Sequence, residues 1–186
     1  MSGVTGNTRV FMVRENLQGI PDYASPSGYS VRWYQAGDED LWLKIHLVAD
    51  KLNSITPELF AREFGDQPSL LAQRQCFLFD AHRRPVGTAT AWFNDNFNGG
   101  SYGRVHWVAI VPEQQGRGLG KALMTIVCHR LRELGHTRAY LTTSTARISA
   151  INLYRHFGFV PLIRAPDDAT IWRELNRYLK NPCPVG

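Results

Sequence analysis

A β-strand pattern leads directly into a glycine-rich turn and then into a helix, and this succession constrains the fold more than any other feature of the chain. The strand pattern covers residues 104–111 and ends at Pro112. Gln115 is followed by three glycines at alternate positions, and apolar residues then recur at helical spacing as far as Gly135. A strand, a tight turn and a helix in this order favour an α/β domain with a possible anion site at the turn.

Alternation along residues 104–111 predicts which side chains share a face of the sheet. The two predicted faces carry Val105, Trp107, Ala109 and Val111 on one side and Arg104, His106, Val108 and Ile110 on the other. His106 and Trp107 are therefore expected on opposite faces, with Trp107 packed under a helix.

The remaining patterns predict a mixed α/β fold, with a single sheet and helices packed on it. Residues 1–28 are expected to form an N-terminal arm or loop, and residues 29–186 one domain without internal repeats. Further strands are predicted at 29–35, 76–80, 85–93, 138–143, 159–163 and 170–172. Helices are predicted at 38–49, 56–65, 69–74, 119–134, 149–157 and 174–180. Residues 94–101 are expected to form a polar, glycine-rich loop.

Composition and charge disfavour several classes of protein. The chain has 186 residues, a length that suits one domain, and its formal net charge of +5 is spread without a Lys or Arg run, which makes nucleic-acid binding a weak interpretation. No apolar segment has membrane-spanning length. Three distant cysteines indicate neither a disulfide framework nor a metal site. We therefore expect a cytoplasmic protein without metal, and a homodimer stays open.

The turn has the chemistry of an anion site. Amides in the first turn of a helix lack intrahelical acceptors, glycines allow close approach of a phosphate, and Arg117 and Lys121 add positive charge. A Rossmann fingerprint does not fit the glycine spacing. A Walker A loop does not fit either, because Gln115 and Ala122 stand where its first glycine and its hydroxyl residue belong.

Two motifs together resemble the GNAT acetyltransferase superfamily. The first is Gln115-x-x-Gly118-x-Gly120 after a strong strand, which is similar to the family's pyrophosphate loop. The second is Ala-Ile-Asn-Leu-Tyr-Arg-His-Phe-Gly-Phe at 150–159, which is similar to its late helix. The resemblance is good over residues 85–163, whereas the first seventy residues match only in element order.

The resemblance implies the GNAT fold, a mixed splayed sheet that binds acetyl-CoA as co-substrate between its fourth and fifth strands, here 104–111 and 138–143. Backbone groups of Val108, Ala109 and Ile110 would hold the pantetheine and the acetyl carbonyl. The residues assigned to the pyrophosphate loop are Gln115, Gly116, Arg117, Gly118, Leu119, Gly120 and Lys121. The Asn152 amide is expected to bind the pantetheine or a phosphate of the cofactor.

The same resemblance gives Tyr154 the role of general acid toward the departing thiolate, and a phenol is acidic enough for that step. Arg104 stands where many relatives have a glutamate base, and arginine cannot accept a proton. His106 is the predicted base, because imidazole titrates near neutral pH. A water chain through the hydroxyls of residues 142–144 is the competing explanation.

The implied activity is acetyl transfer from acetyl-CoA to a primary amine of a small molecule or peptide, by direct attack in a ternary complex. A non-catalytic module that binds acyl-CoA is the alternative, and the missing glutamate at position 104 keeps it open. Arg147 stands where relatives often have asparagine, and it is expected either to pair with a phosphate or substrate or to project into solvent. The sequence contains no signature of the acceptor.

Overall fold

A computed structural model describes residues 6–183 and contains one seven-stranded sheet with helices on both faces. The strands are β1 Arg9–Arg14, β2 Ser30–Trp33, β3 Gln75–Phe79, β4 Pro85–Phe97, β5 Gly100–Ile110, β6 Ala139–Ser144 and β7 Val160–Pro161. The helices are α1 Glu39–Ala49, α2 Pro57–Phe64, α3 Pro68–Arg74, α4 Leu119–Glu133, α5 Ile148–His156 and α6 Pro166–Leu175. The predicted mixed α/β sheet with flanking helices is confirmed.

The sheet has the order β2-β3-β4-β5-β6-β1-β7, and β5–β6 is its one parallel pair. These two strands pair only at Gly103↔Ala139 and Arg104↔Tyr140. Beyond that point, β5 and β6 separate, so the backbone of each is free of the other for the rest of its length. The expected splay is therefore present, and it opens next to the glycine turn that follows β5.

A β-bulge in β5 changes the faces that alternation predicts. Thr88 pairs with Ala109 and Thr90 with His106, so two residues of β5, Trp107 and Val108, stand opposite one residue of β4. Trp107 has a positive φ of 48°, which is uncommon for a large side chain. The prediction of opposite faces is wrong for His106 and Trp107, because after the bulge both rings lie on the side of α2.

The N-terminal segment is not only an arm. Residues 9–14 form β1, which pairs with β6 from Arg9↔Ser144 to Arg14↔Ala139 and with β7 on its other edge. The arm or loop predicted for residues 1–28 is thus wrong for β1, and residues 1–5 of that prediction lie outside the described residues. Pairing partners about 130 residues away explain why local sequence did not indicate the strand.

Three other local predictions are wrong. The loop expected at 94–101 is mostly strand, since β4 and β5 continue to a turn at Asn98-Gly99, where both residues have positive φ. An Asn-Gly pair is a strong signal for a tight hairpin and marks this turn. The strand expected at 170–172 and the helix at 174–180 are replaced by α6, which begins with a proline in its first turn.

Two apolar clusters cover the two faces of the sheet. On one face, α4 buries Leu123, Met124 and Val127 against β4 and β5. On the other face, α1 and α2 bury an aromatic cluster in which Trp42 packs edge-on against Phe60, Phe64 and Trp107. Burial of each such side chain contributes about 1.5–3 kcal/mol. The second cluster fixes α2 against the bulge of β5.

Candidate active site

A cleft of about 1090 Å³ lies where β5 and β6 separate. Its walls come from both strands, from α1 and α2, from β1 and from the start of α5. The residues predicted from the sequence that line it are His106, Val108, Ala109, Ile110, Gln115 and Tyr154. The structure thus brings the end of β5 and the tyrosine of α5 to one cavity.

The glycine turn has unpaired amides and open space around them. Gly116 and Gly118 have φ of 77° and 84°, and Gly118 is the N-cap of α4. Within the described chain, no backbone carbonyl accepts from the amides of Gly116 through Gly120. A Cβ built at Gly116 or Gly118 would meet no atom within 4 Å. The turn therefore fits a diphosphate, because its donors are free and its surface is open.

The other residues of the turn have different surroundings. Gln115 Nε2 donates to the Ile110 carbonyl oxygen at 3.0 Å and so ties the turn to the end of β5. A Cβ at Gly120 would lie 3.2 Å from Leu153 Cδ2, so this glycine permits the close approach of α4 and α5. The Lys121 ammonium lies 4.8 Å from the centre of the Tyr23 ring, whereas Arg117 is exposed. Leu119 is buried in the core.

Tyr154 lies in the second turn of α5 and lines the cleft. Burial raises the pKa of its phenol, and the nearby charge of Arg147 opposes that shift. Among the described residues, its hydroxyl has no hydrogen-bond partner. The phenol is therefore protonated at neutral pH and free to donate to a ligand.

His106 faces Glu63, a residue that sequence reasoning missed. His106 Nε2 lies 2.9 Å from Glu63 Oε2, within ion-pair distance but off the line of a hydrogen bond. Burial lowers the pKa of His106 to about 4, against the opposing effect of Glu63, so the imidazole is neutral at pH 7. The contacts with His106, and the indole N–H of Trp107 at 3.2 Å, lower the pKa of Glu63 to about 2.

His46 is a second buried histidine on the cleft wall that the sequence did not indicate. Its Nδ1 lies 2.9 Å from the carbonyl oxygen of Trp42, and the two rings stack at 4.1 Å. Burial lowers the pKa of His46 to about 4. Its Nε2 is buried without a partner among the described residues. His46 and Trp107 thus line the cleft, with Trp42 buried behind them.

Arg147 joins two distant segments at the mouth of the cleft. Its Nη2 donates to both carboxylate oxygens of Asp50 at 2.8 Å, across 97 positions of sequence. Burial opposes ionisation of Asp50, but the donors Arg147 and Asn53 and the amide of Leu52 together hold its pKa below the usual value. Of the two expectations for Arg147, projection into solvent is not found, because the guanidinium pairs with Asp50, and pairing with a phosphate or substrate stays a prediction.

Asn152 is not brought to the cleft. Its Nδ2 donates to the Ile148 carbonyl oxygen at 3.1 Å, and its Oδ1 accepts from the Lys180 amide at 2.9 Å. The Oδ1 bond therefore holds the C-terminal segment on α5, whereas the Nδ2 bond lies within α5, and contact of Asn152 with the cofactor stays a prediction. The hydroxyls of Thr143 and Ser144, by contrast, line the cleft and are buried without a partner in the described chain.

Comparison with known proteins identifies the family. The model of the acetyltransferase (GNAT) family matches residues 43–159. The chain belongs to the GNAT acetyltransferase family. The GNAT resemblance of the turn and the late helix is thereby confirmed.

Curated relatives share a common name. Mycothiol acetyltransferase of Pseudarthrobacter chlorophenolicus is 35% identical over 153 residues, which cover 75% of this chain and 45% of the relative. Mycothiol acetyltransferase of Streptomyces coelicolor is 29% identical over 160 residues, covering 80% and 48%. The chain thus spans about half the length of these relatives.

Solved structures agree with the fold. A GCN5-related N-acetyltransferase from Sphaerobacter thermophilus superposes with a TM-score of 0.70 at 19% identity, covering 84% of this chain and 49% of the other. The NatC complex bound to Gag peptide and CoA superposes with a TM-score of 0.60 at 18% identity, covering 73% of this chain and 87% of the other.

No helix within residues 6–183 is long and apolar enough to span a membrane.

Proposed function

We propose that the chain is an N-acetyltransferase that moves an acetyl group from acetyl-CoA to a primary amine. The observation that carries the proposal is a cleft that is lined by the free end of β5 and by Tyr154 and that extends to Gln115, the residue next to a turn of unpaired amides. Family membership and the name of the curated relatives support it.

The residues suited to hold acetyl-CoA follow the direction of β5. Backbone groups of Val108, Ala109 and Ile110 would bind the pantetheine and polarise the acetyl carbonyl, since a donor aimed at that oxygen stabilises the charge that develops on it. The amides from Gly116 to Gly120 would bind the pyrophosphate, with Arg117 adding charge. When bound, acetyl-CoA supplies the activated thioester.

In this proposal, the amine nitrogen attacks the thioester carbon, the N–C bond forms and the C–S bond breaks. Tyr154 donates its proton to the departing sulfur, which leaves as the thiol of CoA. The tyrosinate then regains a proton from solvent or from the base. The raised pKa of the buried phenol keeps the proton in place until a negative sulfur forms.

The proposed base is His106, which is neutral at pH 7 and lies on the cleft wall. Its Nε2 faces Glu63, so Nδ1 is the nitrogen proposed to take the amine proton, and the carboxylate would stabilise the resulting imidazolium. Its low pKa makes it a weak base. A water held by the Thr143 and Ser144 hydroxyls is the competing route for the proton. The His106→Gln variant distinguishes the two routes, since a large loss of kcat indicates His106 and an unchanged kcat indicates the water.

The acceptor panel follows from the fold and from the relatives. It includes amino acids, peptides with free N-termini, polyamines, aminoglycosides and mycothiol-related amines, because the curated relatives carry the name of mycothiol. A cytoplasmic location is part of the proposal, and the buried, unpaired thiols of Cys76, Cys128 and Cys183 are consistent with reducing surroundings.

Calorimetry with CoA and thiol-release assays across the panel test the proposal. We expect binding of CoA and acetyl-CoA, and thiol release with at least one amine. Binding without release with any amine would favour the non-catalytic acyl-CoA module instead. No binding of either form of CoA would contradict both.

A further inference from the structure

Four arginines line the cleft without a carboxylate partner. Among the described residues, the guanidinium groups of Arg9, Arg62, Arg104 and Arg164 make no ion pair or hydrogen bond. The cleft wall has two carboxylates, Asp50, which pairs with Arg147, and Glu63, which lies against the neutral His106, so the arginines outnumber the carboxylates. The wall therefore carries uncompensated positive charge.

Arg104 lies far from the turn that suits a diphosphate. Arg104 is six positions before Ile110 on β5, so its Cα is roughly 18–20 Å from the start of the turn. His106 and the bulge lie between them. An arginine at this end of the cleft would therefore meet the molecule that enters opposite the cofactor.

Aromatic rings hold two of these arginines in place. The Phe97 and Tyr140 rings stack with their centres 3.6 Å apart. The Arg104 guanidinium lies 5.6 Å from the centre of the Tyr140 ring, and that of Arg164 lies 4.7 Å from the centre of Phe97. Contact with a ring face orients a guanidinium and leaves its N–H groups free to donate.

Arg104 is the most informative of the four. Its Nε is buried and has no acceptor in the described chain, although a buried N–H of a charged group normally has one. An oxyanion with two oxygens matches a guanidinium through paired hydrogen bonds. The two Nη groups of Arg104 are not buried and have no acceptor in the described chain, so a carboxylate or phosphate on the ligand would bind there.

We propose that the acceptor is an amine that carries a carboxylate or phosphate group, and that Arg104 and Arg164 bind this anion. The inference rests on the proposed function, because it assigns the substrate class of the same cleft. Arg104 thereby orients the amine toward His106, which is two positions along β5. Position 104 then serves substrate selection rather than proton transfer.

The test uses matched pairs of acceptors and matched arginine variants. Each amine with a carboxylate is paired with its carboxamide, and each amine with a phosphate with its alcohol. The variants are Arg104→Gln, Arg104→Lys and the control Arg173→Gln, which removes an exposed arginine of α6 outside the cleft. The readouts are kcat and KM by thiol release, the Kd of CoA and the midpoint of thermal unfolding.

We expect kcat/KM to favour the anionic member of a pair by about tenfold or more, as loss of a hydrogen bond to a charged group implies. Arg104→Gln should remove that preference through KM, while Arg104→Lys keeps part of it and the Kd of CoA is unchanged. The pair that shows the preference identifies carboxylate or phosphate. Equal kcat/KM within every pair, or an equal loss for both members in Arg104→Gln, would overturn the proposal.

A binding measurement separates this inference from the proposed function. The CoA-saturated protein is titrated with inorganic phosphate and with acetate, followed by NMR. We expect at least one anion to perturb residues around Arg104 in the wild-type protein and neither to do so in Arg104→Gln. Such binding without turnover of any amine would contradict the proposed function alone, whereas no binding would contradict the anion site.

Discussion

The two halves of the cleft are built differently. The half proposed to bind the cofactor (the cofactor half) consists of main-chain groups from one continuous segment, the end of β5, the glycine turn and the start of α4. The half proposed to bind the acceptor (the acceptor half) consists of side chains from separate elements, with Glu63 of α2 against His106 of β5 and Asp50 against Arg147. A site built from main-chain groups of one segment is therefore determined by local sequence, whereas a site built from side chains of separate elements depends on the whole fold.

The largest expected effect concerns the buried histidines of the acceptor half. His46 and His106 have pKa values of about 4 in the folded protein, below the usual 6.5. The unfolded chain therefore binds more protons between these values, and stability falls as pH decreases from 6.5 toward 4. We expect a loss of about 2–3 kcal/mol for each histidine between pH 6.5 and 4.5.

Denaturant unfolding across this pH range measures the loss. His106→Gln should make the pH dependence shallower, and the exposed control His82→Gln should leave it unchanged. An unchanged pH dependence in His106→Gln would show that the acceptor half does not bury a neutral imidazole there. That result would contradict the electrostatic difference between the two halves.

Tyr154→Phe tests the boundary between the halves. Removal of the general acid should lower kcat by about 100-fold while the Kd of acetyl-CoA stays the same. The control is Tyr102→Phe, whose hydroxyl bonds Glu15 away from the cleft and whose loss should change kcat less than about twofold. Thiol release and calorimetry give both values, and unchanged kcat in Tyr154→Phe would remove the acid role.

Gly118→Ala tests the cofactor half. Gly118 has φ of 84°, so alanine there costs about 1 kcal/mol of stability and disturbs the free amides beside it. We expect the Kd of CoA to rise severalfold with little change in acceptor KM. Gly19→Ala has a similar backbone cost at φ 60° outside the cleft, and its Kd should equal that of the wild type.

Arg147→Lys is expected to have the smallest effect. It keeps the charge but loses the arginine contact with both oxygens of Asp50, so stability should fall by less than about 1 kcal/mol. Acceptor KM should rise, because this contact fixes the segment after α1 at the cleft. The control is Arg84→Lys, which changes the ion pair with Asp80 in a surface turn. It should lower stability by a similar amount and leave the acceptor KM unchanged. Equal KM in both variants would contradict the assignment of the Asp50 segment to the acceptor half.

What the sequence could predict follows the same division. The turn, α4 and the position of Tyr154 could be predicted because each belongs to a motif of neighbouring residues. The bulge at Trp107 depends on the pairing of β5 with β4, the His106 contact on Glu63 of another element, and strand β1 on partners about 130 positions away, and no local pattern predicts them. The bond between Asn152 and the Lys180 amide likewise joins α5 to another segment, and the sequence did not indicate it.

A crystal structure of the protein with acetyl-CoA tests the central claim most directly. The account predicts the pyrophosphate on the amides of Gly116 to Gly120, the pantetheine along Val108–Ile110 and the sulfur within hydrogen-bond distance of the Tyr154 hydroxyl. Acetyl-CoA bound elsewhere, or bound in the cleft with its sulfur remote from Tyr154, would contradict it.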